Sequence, residues 1–195
     1  MPQVIVVHKD SPFKTFEELL AAMKASPGKI TFGGAGIGGS NHSAFYKFNK
    51  AAGVTGAYVP FKDSSSTIAA LKSGATDAAW SFTTQGVSDG DSIRMLAMAA
   101  EKRIPLFPDL STLTELGYPV IDMAWWGIGV PPGTPDDIRK MVSDTFEKVV
   151  TDPEVNADME KGGYLPLVIP FPASNDYKAK LGADYSAVGK ALAKK

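Results

Sequence analysis

GGAGIGGSNH, residues 33–42, lies between a short apolar run, KITFG, and a segment with helical periodicity. By spacing alone Gly34, Gly36 and Gly39 satisfy G-x-G-x-x-G, the pattern of a strand–turn–helix that cradles a dinucleotide pyrophosphate. The physics behind that pattern is more general. A glycine turn running into a helix start presents backbone N–H groups and the positive end of a dipole, which suit a carboxylate as well as a phosphate. Three neighbouring features weigh against the nucleotide. The strand is short and opens with Lys29. The helix opens with the polar run Ser40-Asn41-His42, where close helix packing wants small residues. Asp63, the candidate ribose-binding acid, follows Pro60-Phe61-Lys62 and reads as the first turn of the next helix. The loop therefore reads as an anion cradle, with a nucleotide-dependent enzyme as the alternative.

Outward from this turn, strand-like and helix-like segments alternate. VIVV (4–7) is a buried strand. Thr15 and Glu18 have capping-box spacing and open the amphipathic helix TFEELLAAMKA, which Pro27-Gly28 closes. After KITFG, the run SNHSAFYKFNKAAG is a helix with Ser40 as N-cap and Gly53 as stop. GAYVPF is a strand, SSSTIAALKSG a helix, and TDAAWSF and IRMLAMA are strands. The succession predicts an α/β architecture built most economically on a parallel-rich sheet. The texture changes near residues 98–125, where KRIPLFPDLSTLTELGYP is proline-rich. A strand in MAWWGIGV then precedes the helix PDDIRKMVSDTFEKVV, with Ile138, Met141, Val142, Phe146, Val149 and Val150 facing inward. A short helix, DPEVNADMEKGG, a strand at LPLVI and a last helix over NDYKAKLGADYSAVGKALAKK complete the chain.

Composition excludes several chemistries. The 195 residues carry no cysteine and two histidines, His8 and His42, so a thiolate nucleophile, a disulfide, an Fe–S cluster and an all-His zinc site are ruled out. No cofactor or metal is expected. A formal net charge of −1 gives no reason to expect nucleic acid as a partner. No stretch approaches the roughly 20 apolar residues of a membrane span, and MPQVIVVHKD lacks the marks of a signal peptide. Ser11-Pro12-Phe13-Lys14 matches S-x-x-K, but it sits in a connector and K-T-G is absent, so it is a linker and not a nucleophile motif. No catalytic residue is expected.

A second turn, YVPFKDSSS (58–66), also runs from strand to helix, with Lys62, Ser64 and Ser65 at its start. Two such helix starts after adjacent strands suggest a ligand with more than one carboxylate, outside the carboxyl ends of the strands. The ordinary alternative for each is a capped helix start with no ligand.

Taken together, SPFKTFEELLAAMKASPGKITFGGAGIGGSNH, GAYVPFKDSSSTIAALKSGATDAAWS, IRMLAMAAEKR and WWGIGVPPGTPDDIRKMVSDTFEKVVTDPEV resemble, in order, the substrate-binding receptors of tripartite tricarboxylate transporters, the TctC or Bug family. The resemblance implies a periplasmic-binding-protein-like fold of type II, a Venus flytrap of two α/β lobes, one of them incomplete in this chain. On that pattern residues 10–98 form the complete ligand-binding lobe, while 1–9 and 99–195 supply the crossover and the later part of the other lobe. The implied function is non-enzymatic. The receptor would close around a small organic carboxylate (a di- or tricarboxylate or an aromatic carboxylate) in the periplasm and deliver it to membrane permease subunits.

Carried onto this chain, the family's ligand contacts fall on Gly38, Gly39, Ser40, Asn41 and His42. The turn at Lys62, Ser64 and Ser65, the strand end at Trp80, Ser81, Phe82 and Thr83, and Trp126 line the same cleft. There are departures. Family members carry a long segment before this start, so the chain looks truncated, and its exposed lobe surface gives it a reason to form a homodimer. Many relatives also have an acid where Ser81 stands, which argues against an amino-acid ligand. A cytoplasmic ligand-sensing domain is a further alternative.

Overall fold

In the computed structural model, which describes residues 1–193, the chain divides into two compact units, Met1–Ala124 and Trp125–Lys195. The last two residues of the expected C-terminal helix lie outside the described residues.

The first unit is a five-stranded sheet in the order β3-β2-β4-β1-β5. Its strands are β1 (Gln3–His8), β2 (Thr31–Ala35), β3 (Ala57–Phe61), β4 (Ala78–Phe82) and β5 (Ile93–Ala99). β2 runs parallel to β3 and to β4, whereas β1 runs antiparallel to β4 and to β5. The sheet is thus mixed and not dominated by parallel pairs. The cause lies in β1, which enters between two later strands from the opposite end.

Continuous apolar character in β1 matches burial on both faces. Ile5 and Val7 pack with Phe16, Leu19 and Met23 of α1 (Phe16–Ala25) and with Phe45 and Phe48 of α2 (Ser40–Ala52). Val4 and Val6, on the alternate face, pack with Ile68 and Leu71 of α3 (Ser64–Lys72). The capping box at Thr15 and Glu18 forms as expected, and Gly53 ends α2 in the left-handed region at φ 63°. A short helix, α4 (Thr83–Ser88), was not expected from its poor helix formers. It packs so closely on β5 that a Cβ at Gly86 would stand 2.5 Å from Met95 Sδ.

This unit is wider than the lobe expected over 10–98. β1 is internal to its sheet, and the segment after β5 buries Ile104, Leu113 and Val120 against it. Two isolated bridges, Pro2 with Met123 and Met98 with Thr112, tie that segment to the sheet.

The second unit holds α5 (Asp136–Val150), α6 (Pro153–Lys161) and α7 (Ala173–Leu192). The strands expected in MAWWGIGV and LPLVI do not form among the described residues: apart from the single Pro2–Met123 bridge neither segment pairs with a strand, and Trp126 and Ile128 are 78% and 60% exposed. The apolar stripe of α5 exists but is not inward. Only Val150 is buried, while Ile138, Met141, Phe146 and Val149 are exposed. Strand composition without a neighbouring strand does not produce a ladder, and an amphipathic pattern by itself does not produce burial.

Among the described residues no helix is long and apolar enough to cross a membrane, and no group of three or more His, Cys, Asp or Glu could hold a metal ion.

Candidate functional site

Because β2, β3 and β4 are mutually parallel, the turns that follow them emerge at one edge of the sheet. The glycine turn is the central one. Its first two glycines belong to β2, and the reason is space. A Cβ at Gly33 would meet Phe61, Thr67 and Thr76 at 3.2–3.3 Å, and one at Gly34 would collide with the hydroxyl end of Tyr58. Gly36 and Gly38 turn the chain at φ +65° and +77°, conformations that L side chains rarely adopt.

Gly39, not Ser40, is the N-cap of α2, and no side chain caps this helix. The amides of Ser40 and Asn41 in the first turn therefore have neither an intrahelical acceptor nor a side-chain cap. The helix dipole adds positive potential at the same place.

The turn is held rigidly from behind. Gly36 N–H donates to Phe61 O at 2.8 Å, and Tyr58 Oη donates to Gly36 O at 3.0 Å. Burial pushes the Tyr58 phenol well above its ordinary pKa, so it stays a donor. Gly38 N–H donates to His42 Nδ1 at 3.1 Å, and the His42 ring stacks on Tyr58 at 4.2 Å with an 11° interplanar angle.

Asn41 is buried and structural. Its Oδ1 accepts from Ala35 N at 3.1 Å and its Nδ2 donates to Gln3 Oε1 at 2.8 Å. Gln3 Nε2 in turn donates to Ser40 O at 2.7 Å and to Asp122 Oδ1 at 2.9 Å. Ser43 Oγ and Lys47 Nζ, on the next turns of α2, both donate to Asp122 Oδ2 at 2.9 Å. This buried network fixes the start of α2 against β1. Gln3 and Asp122 carry no local sequence signal for such a role; only the topology brings them together.

The second expected anion site is different. Asp63 is the N-cap of α3 and accepts from Ser66 N at 2.8 Å, completing a capping box. Hydrogen bonds from the Ser66 amide and hydroxyl, with smaller help from Lys62 and the Ser65 amide, hold the Asp63 carboxyl below the usual carboxylate range. The Ser66 amide at this helix start already serves the chain's own carboxylate. Lys62 and Ser65 are exposed beside it, and Ser64 is half-buried.

At the end of β4 the expected lining is largely internal. Trp80 is fully buried in the core against Phe48, because α1 and α2 cover that face of the sheet. Ser81 and Thr83 are also buried, and the Thr83 amide donates to Pro2 O at 3.1 Å. Phe82 is half-buried. Trp126 lies on the second unit. The structure thus groups Gly38, Gly39, Ser40, Asn41 and His42 in one place, engages the Ser66 amide at the α3 start, and removes Trp80, Ser81 and Thr83 to the interior.

A family model described as "Tripartite tricarboxylate transporter family receptor" matches residues 1–195. A Cupriavidus necator protein described as "UPF0065 protein in gbd 5'region" is 32% identical over 163 residues, covering 80% of this chain and 48% of that protein. Among solved structures, periplasmic binding protein BugD is similar with a TM-score of 0.78 at 25% identity, over 99% of this chain and 65% of that one. An R. palustris protein solved with adipate is similar in fold with a TM-score of 0.81 at 23% identity, over 97% of this chain and 63% of that one. The chain spans about half the length of the curated relative and under two thirds of the two solved chains.

Proposed function

The chain belongs to the tripartite tricarboxylate transporter receptor family, and from that premise we propose that it binds a small organic carboxylate at the start of α2. The family is one of receptors and not of enzymes, and the expected action is binding without chemistry. One observation carries the reading. The start of α2 is capped by glycine alone and held open by the Gln3–Asn41–Asp122 network, at the sheet edge where ligands of α/β proteins bind. The carboxylate would accept from the Ser40 and Asn41 amides, with Gly38 and Gly39 leaving room for its approach and His42 beside it. The solved relative with adipate supports a carboxylate as the ligand class.

The proposal extends to periplasmic location and delivery to membrane permease subunits, as the family implies. The exposed stripe Ile138, Met141, Phe146 and Val149 supports self-association of the chain, which sedimentation velocity reads. The nucleotide alternative has no supporting observation: the acid it needs, Asp63, is engaged as a helix cap.

A thermal-shift series with adipate, malate, hexanoate, NAD and ATP tests the reading. A ligand at a hundredfold excess over its Kd stabilises the folded chain by about 2.7 kcal/mol. The expected result is a shift with a carboxylate, lost in Gly39→Val, whose Cβ would meet Ala35 O at 3.1 Å and disturb the turn that presents the amides. A shift with a nucleotide alone would overturn the proposal.

A further inference from the structure

We propose that Asp89–Gly90, in the turn between α4 and β5, is a self-modifying step of the chain, at which Asp89 isomerises to isoaspartate under the restraint of Lys72 from α3. The inference is independent of the carboxylate site.

The sequence holds a single Asp-Gly step and no Asn-Gly. Such a step is reactive because the following amide nitrogen can attack the side-chain carboxyl, and glycine has no Cβ to hinder the approach or restrict the backbone. In this turn the nucleophile is free: Gly90 is exposed, and its N–H makes no backbone hydrogen bond among the described residues. The electrophile is restrained. Asp89 Oδ1 accepts from Lys72 Nζ at 2.6 Å, and Oδ2 accepts from Ser88 Oγ at 2.8 Å. Chiefly through Lys72, these bonds hold the carboxyl below the usual carboxylate range and keep it ionised, the form that cannot lose an oxygen as water.

The backbone is restrained as well. Asp89 O accepts from Ser92 N–H at 2.8 Å and from Ile93 N–H at 3.1 Å. At the resulting ψ of 10° the Gly90 nitrogen is turned away from Asp89 Cγ, so ring closure waits on the opening of turn and ion pair together. The pair can open, because both side chains reach solvent, Lys72 at 37% and Asp89 at 24% exposure.

Once it is open, the Gly90 nitrogen bonds to Cγ of the protonated carboxyl, and the carboxyl hydroxyl leaves with the amide proton as water. Water then opens the cyclic imide. Attack at Cγ restores aspartate, whereas attack at the backbone carbonyl carbon leaves the main chain running through Cβ, with the carboxylate on Cα. The isomer lengthens the chain by one carbon, takes the carbonyl from Ser92 and Ile93 and moves the charge away from Lys72. The start of β5 thereby loses its anchor to α4.

Ageing of the folded chain at neutral pH tests this, with peptide mapping by fragmentation that separates isoaspartate from aspartate. Isoaspartate is expected at position 89 in wild type. It should accumulate about two- to fivefold faster in Lys72→Met, the worth of a partly exposed ion pair, and at the wild-type rate in Lys72→Arg. Asp77 and Asp91, which precede Ala78 and Ser92, should stay unchanged. Position 89 free of isoaspartate in both wild type and Lys72→Met overturns the site. Equal rates in the two overturn the role of Lys72, and equal gains at Asp77, Asp89 and Asp91 assign the reaction to general loosening and overturn both. Should Lys72→Met melt below wild type, Ser88→Ala, which removes the other bond to the carboxyl, takes its place with the same expectations.

Discussion

Gln3 and Asp122, 119 positions apart in sequence, meet side chain to side chain at 2.9 Å inside the first unit. The contact joins the beginning of β1 to the segment that leaves the unit, and through Ser43 and Lys47 it reaches α2 as well. Removing one partner strands the others. Asp122→Ala leaves the Lys47 ammonium and the Gln3 and Ser43 donors without their acceptor, an expected loss of about 3–5 kcal/mol. Gln3→Ala is expected to cost about 1–3 kcal/mol. Urea denaturation reads both as a lower midpoint at unchanged slope; a midpoint within error of wild type for Asp122→Ala would remove the network from the stabilising interactions.

Trp80 offers a contrast between volume and hydrogen bonding. Its ring is fully buried, yet Nε1 has no hydrogen-bond partner among the described residues. Trp80→Ala is expected to cost about 3–5 kcal/mol through the cavity it leaves. Trp80→Phe removes the orphaned N–H together with part of the ring, so the two effects oppose, and a cost below about 1.5 kcal/mol is expected. Equal losses in the two variants would show that the indole nitrogen is satisfied after all.

Gly34 is the tightest position in β2. A Cβ there would collide with Tyr58 Oη and stand 2.8 Å from its ring. Gly34→Ala is expected to destabilise by about 1–3 kcal/mol, as overpacking does, and to displace Tyr58 from Gly36 O. Gly28→Ala, also a glycine substitution but in open space at φ +74°, is expected to cost only about 1–2 kcal/mol for the backbone. Melting temperatures of the two rank the effects, and the reverse order would contradict the packing described.

Acid should weaken the first unit through identified carboxylates. Asp89 is held low chiefly by its hydrogen bond from Lys72 at 2.6 Å, Glu115 by the Thr112 amide and then Arg103, and Asp63 by Ser66. A folded-state pKa below the unfolded value means that these contributions are fully present above the ordinary carboxylate range, about 4. They are lost as pH falls through the lowered folded values. Melting temperature is therefore expected to fall below about pH 4, and the triple variant Asp63→Asn, Asp89→Asn, Glu115→Gln to show a flatter acid limb. An acid limb as steep as wild type would assign the loss to other groups.

The local parts of this architecture were legible in the sequence. Thr15 with Glu18, Gly53, and the apolar runs of the five strands act through neighbours a few residues away, so pattern suffices. The family resemblance was equally legible, because it rests on several motifs in order. What escaped depends on distant partners. Nothing in VIVV says that it enters the sheet antiparallel, and nothing near Gln3 announces Asp122. Trp80 falls in the cleft by the resemblance alone, whereas α1 and α2 cover its face of the sheet. Ser40 yielded the N-cap to Gly39, which left the helix start free of any side-chain cap. MAWWGIGV and LPLVI have strand composition, but a strand exists only with a neighbour. In α5 the periodicity was right and the burial was not, because periodicity marks a face and not what covers it.

The insertion of β1 between β4 and β5 governs how the unit is assembled in time. β2, α2, β3, α3 and β4 follow one another and pair locally, so they can form with short loop closures. β1 must wait for both of its neighbours, β4 and β5, which are made later in the chain and present facing, unsatisfied edges until it arrives. The earliest of these five strands is then the last to dock, and an intermediate without it offers two open edges to any extended peptide. Refolding at rising protein concentration should divert chains at that step, and a peptide of β1 sequence added in trans should compete for the same slot.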